Sequence, residues 1–80
     1  MSTVYQANGI DFPTPNKAID EVERIGSGHV IKFTGYANIP GLLPAMVYRS
    51  SAMWSYQDGI WHSHYIHDGQ GDKLTVEKPH

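Results

Sequence analysis

The sequence predicts an α+β domain: one short helix packed on one face of a four- or five-stranded antiparallel sheet. Two turn dipeptides and one amphipathic stripe predict it. Asp58-Gly59 separates two aromatic-rich segments and Asn8-Gly9 separates two shorter apolar ones, and both dipeptides supply the φ > 0 positions of tight hairpin turns. Between them, Ala18, Ile19, Val22 and Ile25 recur at helical spacing. The chain has 80 residues, enough for a single domain spanning 1–80.

The N-terminal hairpin spans 4–12, with Ala7 opposite Ile10 and Tyr5 opposite Phe12 if Asn8-Gly9 is a two-residue turn. Pro13 and Pro15 end it early. Thr14 is placed to cap a helix and Pro15 suits its first turn, so the helix spans 15–25. Lys17, Asp20, Glu21, Glu23 and Arg24 take its wet side, with Asp20 and Arg24 paired four apart. Gly26 stops it. A strand follows at 29–36, alternating so that Ile31 and Phe33 share a face. Residues 37–44 form a loop rich in Pro and Gly, with Pro40-Gly41 at a type II turn and Ile39, Leu42 and Leu43 unusually apolar. Strands at 45–56 and 60–67 make the central hairpin. A polar turn, 68–72, leads to a closing strand at 73–77, and Pro79-His80 is a tail.

A two-residue turn at Asp58-Gly59 sets Gln57 opposite Ile60, Tyr56 opposite Trp61, Trp54 opposite Ser63 and Ala52 opposite Tyr65. One face then collects Tyr48, Trp54, Tyr56, Trp61 and Tyr65, a natural core. The other collects Arg49, Ser51, Met53, Ser55, Ile60, His62, His64 and Ile66. A three-residue turn divides the aromatics between both faces, and buried-face consistency favours the first register. One helix covers one face, so the second is solvated or covered by something else.

Composition excludes several functions. With no cysteine there are no disulfides, thiolate zinc sites or cysteine nucleophiles. Lys and Arg total 6, scattered along a chain of net charge −2, so there is no basic stripe for nucleic acid. The N-terminus lacks a charged region followed by an apolar run, and the apolar stretch 39–47 is broken by Pro and Gly and too short to span a bilayer. No membrane partner and a cytoplasmic location are the resulting expectations.

His62-x-His64-x-x-His67 is the one spacing with chemical content. Two histidines two apart on a strand point the same way and can share a zinc ion, but a site needs a third ligand, from His67, Asp68, His29 or His80. Ser63 between them faces the opposite side and cannot form a nucleophile–base pair with either. The aromatic cluster is a candidate stacking platform for nucleic acid or carbohydrate, but core packing explains it more simply.

No catalytic constellation emerges. The expectation is a small non-enzymatic module that binds another protein or its own copy, as a homodimer, through the uncovered face (Arg49, Met53, His62, His64, Ile66) and the apolar loop (Leu42, Leu43). In size, architecture and plain charge it is like small stand-alone inhibitors or modulators of phages and mobile elements, by analogy alone. The alternatives are a zinc-binding domain using His62 and His64, and a stacking binder of nucleic acid or carbohydrate.

Overall fold

The structure, a computed structural model, describes residues 2–37, 46–66 and 76–80. It contains one helix and one five-stranded antiparallel sheet, the predicted class. β1 (Ser2–Ala7) and β2 (Ile10–Phe12) flank Asn8-Gly9, whose φ angles of 50° and 86° give the expected two-residue turn. Tyr5 pairs with Phe12 and Ala7 with Ile10, in the expected register.

α1 (Pro15–Ile25) has its expected bounds. Thr14 Oγ1 accepts the Lys17 N–H at 3.4 Å, and Gly26, left-handed at φ 102°, donates its N–H to Val22 at 2.9 Å. Ala18, Ile19 and Val22 are buried, whereas Ile25 at the end of the stripe is 52% exposed. Arg24 pairs with Glu21 at 2.6 Å, three residues away, rather than with Asp20.

β3 (Gly28–Ala37), β4 (Met46–Gln57) and β5 (Ile60–Ile66) complete the sheet in the order β2-β1-β3-β4-β5. Asn8 ties its turn to the start of β3: its Oδ1 accepts the His29 N–H at 3.2 Å and its Nδ2 donates to Ser27 C=O at 3.4 Å. Gly28 makes room for this staple, because a Cβ there would come within 2.3 Å of Asn8 Oδ1.

At Asp58-Gly59, φ angles of 54° and 78° confirm the two-residue turn, and Tyr56 pairs with Trp61 and Trp54 with Ser63 as expected. Beyond that point the expected register fails. Trp54 takes Ser63 but Met53 takes Tyr65, which leaves His64 as an extra residue and sets Ala52 opposite Ile66 instead of Tyr65. On the other side of β4, Lys32 takes Ala52 but Phe33 takes Ser50, leaving Ser51 extra. Its hydroxyl occupies the gap, donating to Lys32 C=O at 3.2 Å and accepting from Thr34 Oγ1 at 3.1 Å.

Each bulge shifts the alternation by one residue, and such a slip moves every residue beyond it to the opposite face. Arg49 therefore pairs with Thr34, on the face of Val30 and Lys32 and not that of Met53. Tyr48, Tyr65 and Ile66 likewise hold register positions opposite in face to those expected.

The core joins Tyr5, Ala7, Val30, Ala52, Trp54 and Trp61 to the helix stripe. α1 packs on β1, β2 and β3. At β4 and β5 the segment 76–80 contributes. Pro79 is buried, the His80 ring meets Trp54 edge-on at 5.5 Å, and Glu77 N–H donates to Trp61 C=O at 3.2 Å. Lys32 Nζ donates to the His80 main-chain oxygen at 3.1 Å. The expected tail is thus a packed segment. Of the expected closing strand, Val76 and Glu77 are not strand and 73–75 lie outside the described residues, as do Leu42, Leu43, Pro40-Gly41, His67 and the turn at 68–72.

Trp61 Nε1 donates to Glu23 Oε2 at 3.1 Å, while the buried Trp54 Nε1 finds no partner among the described residues. No helix among them is long and apolar enough to cross a membrane.

Candidate interaction face

The face of the sheet turned away from α1 is set by β3, the central strand. Val30 and Lys32 pair with Ala7 and Tyr5 on one side and with Trp54 and Ala52 on the other, so they belong to the core face. His29, Ile31 and Phe33 then belong to the open one. This inverts the ordinary sorting rule, since the larger apolar side chains face outward and a lysine faces the helix side. Lys32 is accommodated because its ammonium lies 5.6 Å above the Tyr5 ring and reaches the His80 carbonyl.

Cross-strand pairing builds the open face in rows. Asp11, Gln6, Ile31 and Met53 form one, Val4, Phe33 and Ser50 a second, and His29, Ser55 and His62 a third. Val4, Ile31, Phe33 and Met53 are half-buried, and Ile60, beside the turn, is 47% exposed. None of these apolar side chains is covered by a described element.

The formal charges lie elsewhere. Among the described strand residues only Asp11, on the edge strand β2, puts a carboxylate on this face, and its Oδ1 accepts from Gln6 Nε2 at 3.3 Å. Both basic strand residues, Lys32 and Arg49, are on the other side. Solvated sheet faces ordinarily carry Lys, Glu and Thr, whereas depletion of charge around aromatic and Met side chains marks the centre of an interface.

At one end of the face the bulge residue His64 turns back to Ser55, with Nε2 and Oγ joined by a hydrogen bond of 2.7 Å whose direction follows the imidazole tautomer. Gly28 and His29, Ser55 and Gln57, and His64 border an open cleft of about 520 Å³ there. A serine at hydrogen-bond distance from a histidine is half of a nucleophilic arrangement. The other half, a group orienting the imidazole, has no counterpart among the described residues.

Of the residues singled out from sequence, Met53, His62 and His64 do share the open face. Arg49 and Ile66 are placed with the opposite face by the bulges, and Leu42 and Leu43 lie outside the described residues. His29 stands on the open face, but His80, offered as a further ligand, packs on Trp54 on the opposite one. Among the described residues no group of three His, Cys, Asp or Glu is placed to hold a metal ion. Ser63 is buried, and the serine that meets a histidine is Ser55. Trp54 and Trp61 are buried, so neither offers its indole face to a base or a sugar. Val4, Ile31 and Phe33 complete the surface. Alternation pairs Ile31 with Phe33, but which face they occupy depends on long-range pairing with β1 and β4.

Compared with known proteins, the chain gives no significant match to a family model, a curated protein or a solved structure.

Proposed function

We propose that this chain is a small non-enzymatic protein-binding module of the inhibitor or modulator kind, acting in the cytoplasm, which docks another protein or its own copy through the open sheet face. The observation that carries this reading is the inverted central strand: Ile31 and Phe33 face outward, beside Val4 and Met53, on a surface whose only fixed charge among the described residues is Asp11. An apolar, charge-poor patch of this kind favours docking, because leaving it wet forgoes about 25 cal/mol for each Å² of apolar area.

The test is a photo-cross-linking residue in place of Phe33, compared with the same residue in place of Ile25 on the helix. The expected result is a protein adduct from position 33 that disappears with Met53→Lys, and none from position 25. Equal adducts from both positions, or none from position 33, overturn the proposal.

A further inference from the structure

We infer that Ser55 is a nucleophilic serine, a site of covalent modification by activated acyl donors (thioesters and aryl esters), with His64 as its general base.

The pair has the geometry of nucleophile and base. Ser55 Oγ lies 2.7 Å from His64 Nε2, within the distance at which an imidazole takes a hydroxyl proton. Thr14 uses its hydroxyl as a helix cap and Ser51 uses its own to fill a bulge, whereas the Ser55 hydroxyl is held by a ring nitrogen. The second bulge supplies that ring. In an unbroken register His62 stands opposite Ser55 and His64 opposite Met53, but Met53 takes Tyr65 instead and His64 becomes the extra residue. Bulges re-aim side chains in this way, and here the imidazole is turned back onto the hydroxyl.

The surroundings suit an acyl group. Ser55 is half-buried and His64 exposed, and both border the open cleft of about 520 Å³, so a carbonyl carbon can reach the hydroxyl from solvent. No Asp or Glu is among the described residues around that cleft, so none repels the negative charge that builds on the attacked carbonyl oxygen. His29 borders it too and stands beside Ser55 in its row, where a ring N–H can donate to that oxygen. Two residues along the same face lie Ile31 and Met53, an apolar row on which the hydrocarbon part of an acyl group can rest.

His64 enters the step neutral, with its proton on Nδ1. Ser55 Oγ bonds to the acyl carbon and its proton passes to His64 Nε2. The bond from that carbon to sulfur or aryl oxygen breaks, and the leaving group takes the proton back, leaving a seryl ester and a free thiol or phenol. In the three-part serine arrangement the carboxylate that orients the imidazole is worth about 10⁴-fold in rate. Without such a group among the described residues, acylation and hydrolysis of the ester are both slow, which makes Ser55 a modified residue and keeps the module non-enzymatic.

The whole chain, treated with p-nitrophenyl acetate and mapped by peptide mass spectrometry, tests the inference. Acetyl ester is expected on Ser55 well before Ser27, which is exposed and borders the same cleft. In denaturing urea that preference should vanish. His64→Ala, checked for folding by circular dichroism, should slow acetylation of Ser55 about a hundred-fold or more, and free imidazole in the buffer should restore part of the rate, which a merely structural role would not allow. Equal acetylation of Ser55 and Ser27 in the folded chain, or a preference for Ser55 that survives urea, overturns the inference. So does rapid nitrophenolate release that persists unchanged in Ser55→Ala, because the imidazole is then itself the nucleophile.

Discussion

The two faces of this sheet are made by the same strands and differ in almost everything else. On the helix side, Val30 and Trp54 are fully buried, and two polar side chains on that side are anchored, Lys32 to the His80 main-chain oxygen and Trp61 to Glu23, while Trp54 Nε1 finds no partner among the described residues. On the open side Ile31, Phe33 and Met53 are half-buried, and no described element covers them. The difference teaches that hydrophobicity alone does not choose the inward face of a strand. Trp54 and Tyr5 fix the core side through their own strands, and β3 follows them in register, leaving its larger apolar residues outside.

The sharpest break of that comparison uses neighbours in sequence. Val30→Lys sets an ammonium among Ala7, Trp54 and Val22, with no acceptor described for it, and should cost about 4 kcal/mol or more, enough to unfold so small a domain. Denaturant titration measures it. Gly28→Ala comes next, at about 1–3 kcal/mol, because φ is 148° there and the new methyl collides with the Asn8 side chain. Combined with Asn8→Ala, the loss should be less than additive, since both remove one staple. Thr14→Ala should cost about 1 kcal/mol by removing the helix cap. Smallest is Ile31→Lys, expected within about 0.5 kcal/mol of wild type when folding is measured on dilute monomer. A loss there approaching that of Val30→Lys contradicts the distinction between the faces.

What is local in this fold is legible in the sequence. Asn8-Gly9 and Asp58-Gly59 specify their turns, and Thr14, Pro15 and Gly26 specify the helix ends, because each acts within a few residues of itself. The bulges are not legible. Ser51 is accommodated by Lys32 and Thr34, and His64 by Ser55, contacts that exist only once strands have paired. Those two extra residues moved Arg49 and Ile66 off the expected surface. The packed end of the chain escaped for the same reason, since Lys32 and His80 meet across 48 residues of sequence. The candidate face was therefore half legible. Met53, His62 and His64 follow from the turn register, whereas Val4, Ile31 and Phe33 follow only from strand order.

The most direct measurement is methyl NMR with a soluble paramagnetic agent, read at Val30, Ile31, Met53 and Ile25. At high dilution the agent should broaden Ile31, Met53 and Ile25 and spare Val30. Ile31 and Met53 signals as sharp as that of Val30 at high dilution contradict the account of an open face.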